Sequence, residues 1–468
     1  MPLLAEYLRQ FGRFQRNARL YLISNALSGV TIGIILVLYN LYLTSLGYGP
    51  DFVGLVLFVL TIGIGIAIFP AGICVDRFGG KAILIWSSVA IGISGAGQIL
   101  FRQPVPLLVS GFLAGVASAF VYVVNAPFLT ANSTPSERSH LFSLNIVLTL
   151  VTTVLGELLG GVLPIWFRAT PWLMAPRSPW LSWLLASEAE PRSYQLALLL
   201  AGIIAAPSFL PLFLLSNDVS SSVSTSTEQK HIPLQQRVHV LPSQWRSQFQ
   251  SSIGILLVSP IVVLTVVQVL VGMGAGLFIP YFNLYFVRHL GASSALFGVI
   301  DGGANALNAV MTLLAPLLAA RIGKIRTITI TRVLSLPLLL TIGFSHSLPL
   351  IAVLYLFRQS SMDMSVGIFQ VFSMEAIPRQ HRGLANSVYQ IATQAPSALT
   401  TPLGGLIIAR AGYPPVFICA AILYAIAIGL LWIRFRRSDV EEQQKQPLQY
   451  PHDRSTNDAT AVEKSRCT

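Results

Sequence analysis

Gly72-Ile73-Cys74-Val75-Asp76-Arg77-Phe78-Gly79-Gly80-Lys81 is a charged, glycine-bearing turn between two apolar stretches, near 52–72 and 82–101. A degenerate copy, Ala320-Arg321-Ile322-Gly323-Lys324, places Arg321 244 positions after Arg77. The same interval relates Gly47 to Gly291, Gly54 to Gly298, Arg138 to Arg382 and Gly160-Gly161 to Gly404-Gly405. One residue out of step, Tyr39-Asn40-Leu41-Tyr42 answers Phe282-Asn283-Leu284-Tyr285. Apolar segments match by chance easily; glycines and arginines that keep one interval do not. The chain reads as two copies of one unit.

Composition says what the unit is. The chain is 54% hydrophobic and 10% charged, against about 25% charged in a soluble domain. A membrane-spanning helix needs about 20 mostly apolar residues. By that measure about twelve segments qualify, near 20–44, 52–72, 82–101, 105–130, 141–166, 194–215, 255–286, 294–319, 327–345, 349–374, 384–409 and 415–434. A bilayer admits only helices or closed barrels, and barrel strands alternate over about ten residues. The expected fold is an all-α polytopic membrane protein of twelve transmembrane helices, as two six-helix bundles over 20–215 and 253–437. The first run, about 25 residues long, exceeds the signal-peptide core of about 7–15. Residues 1–19 read as an N-terminal segment, the serine-rich 216–252 as a polar linker, and 438–468 as a disordered polar tail. Six helices per half run both halves in one direction, as parallel repeats about the membrane normal with a cavity between them.

The net charge of +12 follows topology. With the N-terminus in the cytoplasm, Arg9, Arg13, Arg16, Arg19, Arg77, Lys81, Arg138, Arg321, Lys324, Arg326, Arg379, Arg382 and the tail from Arg434 fall inside. Arg102, Arg168, Arg177, Arg192, Arg288 and Arg410 fall outside. That bias is the positive-inside rule. It sets both termini in the cytoplasm and removes the case for a nucleic-acid partner. Cys74, Cys419 and Cys467 match no disulfide or metal spacing. No phosphate-binding loop, nucleophile constellation or zinc spacing occurs, which argues against an enzyme and against ATP drive.

Gly72-x-x-x-Asp76-Arg77-x-Gly79 between helices 2 and 3, six plus six helices and a long central linker resemble the major facilitator superfamily, over roughly 20–436. Departures are Gly80, where the family usually has a basic residue, and Pro316 and Ala320, where the second copy lacks glycine and aspartate. The resemblance implies the major facilitator fold, alternating access, and a plasma-membrane transporter acting as a monomer on a small molecule. It also implies a cytoplasmic gate at Gly72, Asp76, Arg77, Gly79, Lys81, Glu137 and Arg321, with Arg77 or Lys81 pairing Glu137. The bland alternative is that these charges mark the membrane interface.

Ionisable groups inside a membrane are costly and usually functional. Asp301, Asn305, Asn308 and Thr312 share one helical face at spacings of four, three and four. A carboxylate in an apolar wall can exchange a proton near neutral pH; an interhelix hydrogen-bonding seam is the alternative. Glu157 lies in Gly156-Glu157-Leu-Leu-Gly160-Gly161, where efflux antiporters of the superfamily often carry Gly-Pro-x-x-Gly-Gly. It is a second coupling candidate, or an acid in a wet outer vestibule. Asp363 is the third. Arg358 is read as pairing Asp301 or Asp363, or meeting an anionic substrate. Helices 1, 4, 7 and 10 surround the cavity by resemblance, which favours Tyr122, Asn125, Gln268 and Arg358, with Asn305 and Gln390 on neighbouring stripes. Asn40 and Asn283 read as structural. Trp166, Trp172, Trp180 and Trp183 read as an interfacial belt. The expected activity is proton-coupled export of small amphipathic or drug-like molecules, with an ion gradient and no cofactor. Proton-linked uptake of a sugar or other metabolite and a non-transporting sensor or scaffold are the alternatives.

Overall fold

A computed structural model describes residues 14–134, 137–175, 184–216, 260–375 and 382–436. The expected linker beyond Ser216, the tail, Arg177, Trp180, Trp183 and Arg379 lie outside the described residues, as do the side chains of Asp76, Arg382 and Asn386.

The N-terminal half contains α1 (Arg16–Ser45), α2 (Pro50–Phe78), α3 (Gly80–Leu100), α4 (Pro104–Ala131), α5 (Arg138–Arg168) and α6 (Ala189–Ala205). The C-terminal half contains α7 (Pro260–Phe278), α8 (Ser294–Ile322), α9 (Lys324–Phe344), α10 (Leu348–Glu375), α11 (Arg382–Ala411) and α12 (Tyr413–Phe435). Among the described residues, ten helices are long and apolar enough to cross a membrane. The two that fall short are α10 and α11. The first carries Arg358, Gln359 and Asp363, the second Gln390, Gln394, Ser397, Thr400 and Thr401. Their polarity has a use, because both face the central cavity.

Proline sets the irregular ends. Pro207 converts the end of α6 to a 3-10 turn before Phe209–Phe213. Pro280 breaks α7 into a 3-10 turn, a short helical piece and a π turn ending at His289. Proline removes a backbone donor and blocks the ladder. The Pro280 carbonyl at this break accepts from Asn40 Nδ2 at 2.7 Å.

The 244-residue interval now has a backbone reason. Gly79 and Gly323 are the single residues between α2 and α3 and between α8 and α9, with φ of +81° and +94°. That left-handed region favours glycine. Gly47 and Gly291 repeat it at the α1–α2 and α7–α8 turns, with φ of +94° and +72°. The other glycine pairs set interhelix distance.

The two halves meet along α2–α11 and α5–α8. A methyl on Gly405 would lie 2.3 Å from the Pro50 carbonyl oxygen, and one on Gly161 2.7 Å from that of Ser294. Both contacts lie at the end of the bundle remote from the linker, called here the far end. One apolar core runs through both halves there, from Leu43 and Val53 to Phe286 and Tyr413. At the linker end each half has its own core, around Tyr21 and Phe128 in one and Ile328 and Phe372 in the other. Gly54 is pressed against Pro402 and Tyr281, yet Gly65 and Gly72, on the same face of α2 some three and five turns on, meet nothing within 4 Å. The molecule is closed at its far end and open at its linker end.

Overpacking a tight contact costs about 1–3 kcal/mol. Gly405→Ala is therefore expected to lower the melting temperature in detergent, while Gly429→Ala, where a methyl meets nothing within 4 Å, does not. Equal melting of the two variants would contradict the seam.

Candidate functional site

Between the halves lies a cavity of about 490 Å³. Its floor at the far end is the crossing of α1 with the broken end of α7. Asn40 Nδ2 also donates to Asn283 Oδ1 at 3.3 Å, and Asn283 Nδ2 donates to the Leu36 and Val37 carbonyls at 3.3 Å. The two repeated asparagines thus tie the broken helix to its partner, as the structural expectation has it, and also line the cavity.

Two carboxyl groups line the wall. Asp301, half-buried on α8, accepts from the Tyr355 hydroxyl of α10 at 2.7 Å. Glu157, on α5, is 0% exposed and accepts from Asn305 Nδ2 at 2.9 Å and 3.2 Å. The outer-vestibule reading of Glu157 is therefore corrected: close packing at Gly156, Gly160 and Gly161 leaves it no path to the far surface. The polar stripe of α8 also divides. Asp301 and Asn305 reach the cavity, whereas Asn308 donates to Asp363 Oδ2 at 3.3 Å and Thr312 to Asn308 Oδ1 at 3.2 Å.

Arg358 is corrected too. Its guanidinium lies 4.7 Å from the Phe278 ring centre and 5.8 Å from that of Tyr424. It donates to Gln359 Oε1 at 2.9 Å, and Gln359 Nε2 donates to Asp363 Oδ2 at 2.7 Å. The side chain is 0% exposed and absent from the cavity wall. A planar guanidinium stacks on aromatic faces, so this arginine joins Asp363 through Gln359 rather than by a direct ion pair.

The remaining substrate candidates also lie away from the cavity wall. Tyr122 is 67% exposed and Gln390 is exposed. Asn125 has a buried Oδ1 with no hydrogen-bond partner. Gln268 donates to Thr393 Oγ1 at 3.0 Å, which fixes α7 to α11. Of the gate residues, Glu137 accepts from Thr134 Oγ1 at 2.8 Å, and Arg77 lies exposed, 5.6 Å over Phe78. The expected Arg77–Glu137 pair is not formed: both belong to the N-terminal half, where Glu137 is taken by Thr134 and Arg77 lies against Phe78. Arg321 is exposed and Lys81 half-buried.

Sequence reading missed Tyr39, Tyr355, Gln359 and Gln394, all on the wall. Tyr39 stands in the repeated Tyr-Asn-Leu-Tyr element, which carried a signal read only as structural. It also missed the far-end ion pair. Arg288 of the C-terminal half lies 2.9 Å from Glu190 of α6 and donates to Thr44 at 3.3 Å; Arg168 lies 3.5 Å from the same Glu190.

The Major Facilitator Superfamily family model matches residues 21–267 and 264–454. Curated relatives align over short stretches. The uncharacterized MFS-type transporter YhhS of Escherichia coli (strain K12) is 37% identical over 62 residues, 13% of this chain and 15% of that protein. An uncharacterized MFS-type transporter of Burkholderia mallei (strain SAVP1) is 34% identical over 73 residues, 15% of this chain and 18% of that protein. The chain thus spans less than a fifth of the length of these relatives. Solved structures match in fold. A bacterial homologue of the human lysosomal transporter Spinster, inward-facing and unoccupied, has a TM-score of 0.67 at 14% identity, covering 91% of this chain and 97% of that one. A bacterial homologue of the iron transporter ferroportin, inward-facing, gives 0.67 at 17%, covering 90% and 98%. A D-xylose-proton symporter gives 0.65 at 15%, covering 89% and 97%. With the family model running through both repeats, the chain belongs to the major facilitator superfamily, as a multi-pass membrane protein.

Proposed function

We propose that this transporter couples proton entry to export of small amphipathic molecules across the plasma membrane, by rocking its halves about the central cavity. The observation that carries the coupling is the pair of carboxyl groups, Glu157 and Asp301, on one cavity wall. Each has a neutral hydrogen-bonding partner, Asn305 or Tyr355, and both line the same cavity. Acids so placed take up and release protons as the cavity opens to one side and then the other. Charge bias supports the linker end, both termini and the open face being cytoplasmic. For export over uptake the support is Gly156, Gly160 and Gly161, which match the segment of efflux members, although Glu157 departs from it at the proline. The working unit is a monomer, driven by an ion gradient, with no cofactor.

Gating follows from the same geometry. Closure at the far end rests on the glycine seams and the Arg288–Glu190 pair. Opening there separates Arg288 from Glu190 and brings together the linker ends, with Gly72, Asp76, Arg77, Gly79, Lys81, Glu137 and Arg321 on the approaching surfaces.

In everted vesicles, amphipathic fluorescent drugs are expected to accumulate when the interior is acidified. Asp301→Asn and Glu157→Gln each remove that dependence while leaving expression intact. No accumulation across a varied substrate panel would overturn export, and unchanged pH dependence in both variants would overturn coupling.

Glu190→Gln is expected to favour the form open at the far end. An exposed ion pair contributes about 0.2–1 kcal/mol, so labelling of a far-end cysteine should rise by about 1.4- to fivefold. The rise should shrink at high salt, and no change at low salt would remove the latch role.

A further inference from the structure

The cavity's described lining residues include two carboxyl groups and no arginine, lysine or histidine. Arg358, the cation in the adjoining region of α10, is engaged by Phe278, Tyr424 and Gln359. Two negative charges on one cavity wall repel, and a proton or a cation nearby relieves that repulsion.

The two acids are not equivalent. Glu157 is fully buried and held by Asn305, whereas Asp301 is half-buried with one oxygen accepting from Tyr355. A separate observation points to a ligand. Tyr39 lines the same cavity, is 7% exposed, and its buried hydroxyl has no hydrogen-bond partner. A buried polar group without a partner costs about 1–3 kcal/mol, a cost a bound molecule would relieve. Phe282 and Phe297 add aromatic surface to the wall, and aromatic faces attract cations. The volume falls within the range of about 300–1,000 Å³ usual for small-molecule sites.

We propose that the cavity takes a monovalent organic cation with an apolar or aromatic body. Asp301 meets the positive charge, the Tyr39 hydroxyl bonds the ligand's polar group or an accompanying water, and Glu157 holds the proton. One cation opposite Asp301 and one proton on Glu157 leave the cavity neutral. This rests on the reading of the cavity as the transport site. Other titratable groups around it are Tyr39 from α1 and Tyr355 from α10, with Asp363 and Arg358 behind Gln359. The lining residues of α2, α7 and α11 present none.

Radiolabelled tetraphenylphosphonium, with neutral triphenylphosphine oxide as competitor, tests this on the purified full chain in weakly buffered detergent. The cation is expected to bind at alkaline pH, to be lost as pH falls and the carboxylates take up protons, and to resist the neutral competitor. Loss of a desolvated charge partner should make Asp301→Asn weaken binding roughly tenfold or more. Tyr39→Phe, which removes one hydrogen bond, should weaken it about threefold. Unaltered cation affinity in Asp301→Asn, or equal affinity for the neutral compound, would overturn the cation site. Proton release on binding, read with a pH dye, separates the two readings. Cation binding that depends on Asp301 but releases no proton supports the cation site and overturns proton coupling. Proton release with no preference for the cation does the reverse.

Discussion

Backbone pressed on backbone at two glycine seams is the constraint on which this molecule depends. At Gly54, Gly161, Gly298 and Gly405 the helices of opposite halves approach too closely for a side chain. The seams are related by the internal duplication, so the far end is held by two equivalent contacts, one on each side of the cavity. Tight packing of small residues is how helices associate where lipid is as apolar as the protein. The contacts end part-way along α2 and α5. Beyond them each half relies on its own core, so the halves can part at the linker end without either losing its packing.

The cavity lies where the shared core stops. Its floor is the asparagine-bound break in α7, and its wall draws on both repeats: Glu157 from one, Asp301 and Asn305 from the other. The Asn305–Glu157 hydrogen bonds cross between the halves. A change of charge on Glu157 therefore acts on a contact that any rocking of the halves must alter. This contact is where the proposed proton coupling would act on conformation, with no relay through distant residues.

Much of the fold was legible in the sequence. Twelve helices and a two-fold repeat followed from apolar length and one interval of 244 residues. The turn at Gly72 to Lys81 correctly marked a helix break, and its glycine is explained by a positive φ at Gly79. The site was less legible. Glu157, Asp301 and Asn305, which line the cavity, stand out in the sequence because polar residues are rare in these helices. Tyr39, Gln359 and Gln394 were not, since which face of a helix meets the cavity depends on packing that periodicity alone leaves open. Arg358 was expected to pair with an acid directly, but a buried guanidinium can rest on aromatic rings and an amide instead. The Arg288–Glu190 pair joins residues almost a hundred positions apart on separate halves, a distance at which spacing carries no information.

The central claim is that neutralising the cavity acids moves the seams. It is tested most directly by electron-spin distance measurements in a variant lacking the native cysteines, with labels at Ile146 and Leu313 toward the linker end and at Trp166 and Leu296 at the far end. With Glu157→Gln and Asp301→Asn combined to mimic the protonated cavity, the account predicts that the first distance shortens and the second lengthens. Both distances unchanged, or both moving in the same sense, would contradict it.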